Sequence, residues 1–254
     1  LTGANGSGKT TLCMAMTGLV PHFFGGSMAG QVVVAEKSTS GRTVAETANG
    51  VGFVMEDYES QLVALTVFDE VAFAMENMGV TAGTIRSRVM AALDAVGLSG
   101  LENRDLSALS GGQKQRLAIA SVIASQPKIL VLDEPASALD PEGASEIYAL
   151  LAKLNREQGI TVIVAEHDLA RALPYASQLV VMDGGQVVLA GRPAQVFSQM
   201  LSKQVYSAAV PSLRRLKGFL ETGERSFTEW MTADEAAAEI NDCLHSSRRL
   251  SLSA

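Results

Sequence analysis

The chain has 254 residues, 47% of them hydrophobic and 19% charged, which is enough apolar material for a sizeable core and too much for a disordered chain. Lys plus Arg number 20 against 27 Asp plus Glu, a net charge of −7 that argues against a surface built mainly for nucleic acid; no nucleic-acid partner is expected. Cys13 and Cys243 form neither a disulfide framework nor a zinc-ligand spacing, no apolar run reaches the roughly 18–20 residues that cross a bilayer, and no signal peptide is readable.

The chain opens on Leu1, and Gly3 already belongs to a motif that a strand should feed. The chain is therefore read as a fragment whose N-terminal strands are missing. Gly3 to Lys9 is a tight loop, followed by a predicted helix from Thr10 to Leu19 that stops before Pro21. Val32–Val34 and Val51–Met55 read as short strands. Apolar residues at helical spacing predict a helix over Val67–Met78 and a second carrying Ile85, Val89, Leu93 and Val96, stopped by Gly97. A third helix is expected from Gln113 to Ala124. Ile129–Leu132 and Ile160–Val164 are nearly unbroken apolar runs, as strands buried on both faces would be. Helices are predicted over Glu142–Leu154 and from Asp168 to Leu173, and Gly184-Gly185 sits between two short strands as a hairpin turn. The alternation predicts an α/β fold with a parallel sheet covered by helices. Residues 57–125 read as a helical lobe, and after residue 200 the texture changes to a small C-terminal extension. There Thr232 and Glu235 fit a capping box for a last helix from Ala233 to about Leu244.

Gly3-Ala4-Asn5-Gly6-Ser7-Gly8-Lys9-Thr10 matches G-x-x-x-x-G-K-[ST] in full. Glycines at this spacing let consecutive N–H groups turn inward around a phosphate chain, and the following helix points its positive end at it. Lys9 adds a mobile cation toward the β- and γ-phosphates, and the Thr10 hydroxyl can reach Mg²⁺. The apolar strand 129–132 ends in Asp133-Glu134. Asp133 can bind Mg²⁺, and Glu134, facing another way, can act as general base toward a water. The strand 160–164 runs out into Ala165-Glu166-His167, and parallel sheets bind ligands at that end, so His167 can reach a γ-phosphate.

Leu109-Ser110-Gly111-Gly112-Gln113-Lys114-Gln115-Arg116 resembles the signature motif of the ABC ATPases, and Ser137-Ala138-Leu139-Asp140-Pro141 resembles their D-loop. His167 sits where their switch histidine does. The resemblance covers about residues 1–195. It implies a P-loop NTPase with an ABC-type helical subdomain, ATP and Mg²⁺ as cofactors, and a head-to-tail dimer, homomeric or heteromeric, with two nucleotides between subunits. By the same resemblance Asn5, Gly6, Ser7, Gly8, Lys9, Thr10 and Thr11 bind ATP in one subunit. Ser110, Gly111, Gly112 and Gln113 close over the ATP of the other, with Asp140 near the seam. Residues 51–73, from Val51-Gly52-Phe53 to Val71-Ala72-Phe73, are similar to the Q-loop region of energy-coupling-factor ATPases, which drive uptake of vitamins and of cobalt or nickel.

The resemblance thus implies an ATPase subunit at the cytoplasmic face of the membrane, docked on transmembrane importer subunits through the helical lobe. Val63, Leu65, Phe68, Met75 and Met78 are the candidate groove residues. Three departures stand out. Glu56 replaces the family's usual Gln, which contacts Mg²⁺ or the attacking water; it is retained here as a catalytic and metal candidate whose extra charge could slow hydrolysis. The family often has Pro at Tyr58 and Thr at Ala136, changes expected to have small effects. The adenine-stacking aromatic lies upstream of the phosphate loop in this family, before Leu1. Alternative readings are a nucleotide-binding regulatory subunit with weak hydrolysis, a non-transport ABC ATPase, and one half of a tandem ATPase.

Overall fold

In chain order the elements are β1 (Thr2–Gly3), α1 (Lys9–Met16), the short α2 (Leu19–His22), β2 (Val33–Val34), β3 (Lys37–Ser38), α3 (Val44–Ala48) and β4 (Val51–Val54). Then come α4 (Val67–Asn77), α5 (Ala82–Ala95), α6 (Gly111–Ile123), β5 (Ile129–Asp133), α7 (Pro141–Gln158) and β6 (Thr161–Ala165). The chain continues through α8 (Leu169–Ala172), β7 (Leu179–Asp183), β8 (Gln186–Gly191), α9 (Pro193–Lys203) and α10 (Ser212–Leu220). A last helix, α11, covers 234–242. The structure is a computed structural model that describes residues 1–220 and 234–242. Contacts divide the chain into two units: Leu1 with Asn5–Glu166, and Thr2–Ala4 with the chain from His167 onward.

In the first unit β5 is the central strand. It pairs in parallel with β4, from Val51↔Ile129 to Val54↔Leu132, and with β6, from Ile129↔Thr161 to Asp133↔Ala165. Leu130, Val131 and Leu132 have no exposed surface, as a parallel strand covered on both faces requires. The main chain of Leu1 runs beside β6: its nitrogen donates to Val164 O at 2.8 Å, and Glu166 N–H donates to Leu1 O at 2.9 Å. Cys13 on α1 packs against Val51, Val131 and Ala165. Gly52 is where α6 approaches most closely. A Cβ there would lie 2.1 Å from Val122 Cγ1, so the absence of a side chain lets helix and sheet meet. The hairpin β2–β3 turns through Ala35 and Glu36, both at positive φ, as a two-residue primed turn demands.

Residues 57–125 hold helices and 3₁₀ turns with Val67, Val71, Met75, Val89, Leu93, Leu117 and Ile119 fully buried among them. Arg116 links α5, α6 and α7. Its Nη1 donates to Val96 O at 3.0 Å and its Nη2 pairs with Glu146 at 2.6 Å.

In the second unit β1 pairs in parallel with β7 (Thr2↔Val181, Gly3↔Met182). The β7–β8 hairpin turns at Gly184-Gly185 as expected. Its core is Leu179, Val181, Leu189, Val196, Phe197, Met200 and Val210. The buried Arg214 guanidinium stands 6.0 Å over the Phe197 ring, and Arg215 donates to Ser207 O at 2.8 Å.

Several boundaries differ from expectation. Helix α1 stops at Met16, because Gly18 at φ +74 turns the chain before Pro21 is reached. Helix α6 starts at Gly111, two residues early, because Ser110 caps it. Helix α7 continues to Gln158, where Gly159 at φ +68 ends it. Helix α9 was not expected; Pro193 at its first position starts it. The predicted Thr232 cap lies outside the described residues.

Gly52→Ala should cost about 1–3 kcal/mol of unfolding free energy in urea titration, since the added methyl forces Val122 off α6's contact with β4. Burial, with the negative charge of Asp133 adding to it, pushes the Cys13 thiol up from 9.0 to about 12. The thiol therefore stays neutral in the folded state, and folding loses stability as pH rises from about 9 toward 12. With iodoacetamide at pH 8.5, peptide mass spectrometry should find Cys13 unmodified in the native protein and alkylated in urea.

Candidate functional site

The phosphate-loop residues fall into two groups. Asn5, Gly6, Thr10 and Thr11 are exposed, whereas Ser7 and Lys9 are buried, at 2% and 7% exposure. Gly8 caps α1 in the left-handed region at φ +96, a conformation a side chain would resist. The Ser7 hydroxyl is buried with no hydrogen-bond partner among the described residues. A Cβ on Gly6 would meet nothing within 4 Å, so the loop leaves open space at its outer side.

The sheet brings three further candidates to one edge. Asp133, the last residue of β5, is 2% exposed, and Glu134 just beyond it is half-buried. Glu134 holds φ +46, and its N–H donates to Ala165 O at 2.9 Å, which ties the carboxylate-bearing turn to β6. Beyond β4, Glu56 is exposed. Beyond β6 lies Glu166, buried and hydrogen-bonded by the Tyr148 hydroxyl of α7. His167, the next residue, is exposed and begins the second unit.

The segment carrying Glu56 is held by side chains that sequence reasoning passed over. Gln61 Oε1 accepts from Met55 N at 2.8 Å, and its Nε2 donates to Phe53 O at 3.2 Å, so one amide spans the loop. Ser60 Oγ donates to Asp57 O at 2.7 Å within the 3₁₀ turn Tyr58–Gln61. Tyr58, expected to matter little, is 7% exposed and donates its hydroxyl to Gly111 O at 3.3 Å. Beside it Glu59 pairs with Lys114 at 2.8 Å. A tyrosine in place of a proline is thus a structural contact here, since a proline has no donor. A polar residue in a loop gives no sequence signal of which main chain it will bind.

The signature segment begins α6 with a capping box. Gln113 N–H donates to Ser110 Oγ at 3.3 Å, and Ser110 N–H donates to Gln113 Oε1 at 3.0 Å. That leaves Gly111 and Gly112 N–H without intrahelical acceptors, and a Cβ on Gly112 would meet nothing within 4 Å. Asp140 caps α7, accepting from Gly143 N at 2.7 Å.

The groove candidates divide as well. Val63, Leu65 and Met78 are exposed, at 63%, 82% and 38%, while Phe68 is half-buried and Met75 fully buried in the lobe's core. Met75 is thereby removed from the surface set, and Phe73, 49% exposed on α4, joins it. The loop presenting Val63 and Leu65 is fastened by Glu70, 4% exposed, whose carboxylate accepts from Val63 N and Ala64 N at 2.8 Å each.

A family model described as ABC transporter matches residues 1–137. A putative ABC transporter ATP-binding protein of Pyrococcus abyssi is 41% identical over 242 residues, 94% of this chain and 86% of that protein. The energy-coupling factor transporter ATP-binding protein EcfA1 of Levilactobacillus brevis is 36% identical over 244 residues, 96% of this chain and 84% of its own. A putative ABC transporter ATP-binding protein of Streptomyces coelicolor is 46% identical over 220 residues, and there the chain spans 38% of the relative's length. Among solved structures, cbiO1 of Clostridium perfringens, described as part of the ABC transporter complex cbiONQ, aligns with a TM-score of 0.70 and 34% identity. That alignment covers 85% of this chain and 86% of cbiO1. The ATP-binding cassette MJ0796, a dimer in a post-hydrolysis state with ADP and Pi, aligns with a TM-score of 0.64 and 28% identity, covering 75% and 83%.

Glu70→Gln removes the charge while keeping size, and should speed amide exchange at Val63 and Ala64 about tenfold in native-state hydrogen exchange. Unchanged exchange there would show that the loop is held by packing instead.

Proposed function

The chain belongs to the ABC transporter ATP-binding family, and we propose that it is the ATP-hydrolysing motor of a membrane importer for a vitamin or a transition-metal ion. The ATPase class and the P-loop fold are those of its relatives. The importer reading rests on one observation: similarity along nearly the whole chain to EcfA1 and to cbiO1, a part of a transporter complex.

In this reading the open phosphate loop takes the ATP phosphates. The buried Ser7 hydroxyl without a partner fits a phosphate oxygen, and Lys9 with the first N–H groups of α1 balances the negative charge. Asp133, Thr10 and Glu56 offer the hard oxygen donors that Mg²⁺ takes. The ion would supply charge neutralisation at the phosphates. Glu134 accepts a proton from the attacking water, and His167 holds that water and the γ-phosphate. Gly111 and Gly112 N–H, left open by the capping box, face the phosphates held by a second subunit, with Asp140 near the seam. That pairing supports a homo- or heterodimer.

In this reading the exposed Val63, Leu65, Phe73 and Met78 supply an apolar surface for a transmembrane subunit, and the protein sits peripherally on the cytoplasmic face of the membrane. Among the described residues no helix is long and apolar enough to cross a membrane. Glu56, an acid where the family has Gln, favours a second reading in which turnover is slow and nucleotide binding regulates the assembly.

Purification of the native protein in mild detergent should recover a transmembrane subunit by mass spectrometry. Recovery of soluble partners alone would sink the importer reading and leave the ATPase. Glu134→Gln should lower turnover at least about 100-fold while retaining ATP binding. Glu56→Gln separates the two readings, since a large rise in turnover is expected only if Glu56 restrains the site.

A further inference from the structure

Tyr58 makes a contact that the proline common at this position could not make, and it does so between two parts of the nucleotide machinery. We propose that Tyr58 is a positioning residue that locks the turn after Glu56 to the first turn of α6, so that the two move as one body. The inference rests on the reading of Gly111 and Gly112 as a phosphate-facing helix start.

The geometry is a pair of directed contacts. The 7% exposed phenol donates to Gly111 O at 3.3 Å. One residue on, Glu59 pairs with Lys114 at 2.8 Å. Gly111 and Lys114 are three apart on α6 and share a face, so both ties pull on the same side of its first turn. The ion pair is partly exposed and worth little by itself, which leaves the buried hydroxyl as the main fixed point.

Neither end of the link has slack. On the Glu56 side, Ser60 closes the turn onto Asp57, and the Gln61 amide binds Met55 N and Phe53 O at the end of β4. On the α6 side, the reciprocal Ser110–Gln113 bonds hold Gly111 and Gly112 in the helical turn. A displacement of Glu56 on meeting its ligand, or of the neighbouring Val63–Leu65 loop on meeting a partner, therefore reaches the Gly111-Gly112 amides through contacts in series. A proline at 58 would lose the bond to Gly111 and leave the Glu59–Lys114 pair as the remaining polar tie named here.

The test uses the full-length protein in its assembled ATPase form, with Tyr58→Phe, Lys114→Met, the double variant and Ser110→Arg. Tyr58→Phe removes a single oxygen. It should lower kcat about three- to tenfold with KM for ATP and Tm unchanged. Lys114→Met should do less, and the double variant should fall below Tyr58→Phe, because it removes both ties to the one turn. A Tyr58→Phe protein with wild-type kcat, or one whose kcat falls only in step with Tm, overturns the proposal. Ser110→Arg tells the two levels apart. If it abolishes turnover while Tyr58→Phe is wild type, only the link is wrong. If it leaves turnover intact, the phosphate-facing reading of α6 fails and the link with it.

Discussion

The in-register pairing of β5 with both neighbours is the constraint on which the site depends. Because Leu130, Val131 and Leu132 are covered on both faces, β5 cannot slide relative to its neighbours without breaking two ladders of hydrogen bonds and exposing apolar side chains. That register fixes where each strand stops. β4 releases the chain at Val54, opposite Leu132, and two residues later comes Glu56; β5 ends on Asp133 opposite Ala165, and Glu134 and Glu166 follow. Four acidic residues thus arrive at the carboxyl edge of one parallel sheet because its three strands are paired in register, in the place where such sheets bind ligands.

Around this rigid edge the loops are held mainly by polar side chains that accept from main-chain N–H groups. Gln61 does so for Met55, Glu70 for Val63 and Ala64, Ser110 for Gln113, and Asp140 for Gly143. Each satisfies donors that no helix or strand would otherwise serve. A few directed bonds define geometry without the bulk of packed side chains, and the segment from Ser110 to Gln113 keeps space open beside Gly112. In an ABC ATPase this division of labour separates stability, carried by the sheet and the helical core, from the surfaces that ligands and partners must reach.

Much of this was legible in the sequence. The phosphate loop, the Asp133-Glu134 pair and the signature segment are local patterns, and strand 129–133 announces itself because a strand buried on both faces is an unbroken apolar run; strand 161–165 carries the same pattern but is only half-buried from Val162 to Val164, with Thr161 exposed. What escaped was long-range or conformational. Tyr58 reaches Gly111, 53 residues away, and no local pattern specifies that partner. Met75 lies on the same amphipathic helix as Phe73, and periodicity alone did not say which face was covered. The early start of α6 was hidden because glycines read as loop, whereas the Ser110–Gln113 capping box makes them its first turn. Helix α9 lies where the composition changes, and its amphipathic spacing went unread.

Glu134 carries one more consequence. It is not a glycine, yet it sits at φ +46, a conformation that costs an L-residue about 1–2 kcal/mol. The turn needs this conformation to bring its N–H to Ala165 O. Glycine would adopt it without penalty, and asparagine at a reduced one. With Glu134 as the proposed base, selection for thermal robustness and selection for turnover pull in opposite directions at this position. A lineage that gave up hydrolysis and kept only nucleotide binding would be free to drift toward Gly or Asn at 134, gaining stability as it did so. The side chain found at this position in a homologous domain therefore records which of the two pressures has governed that domain.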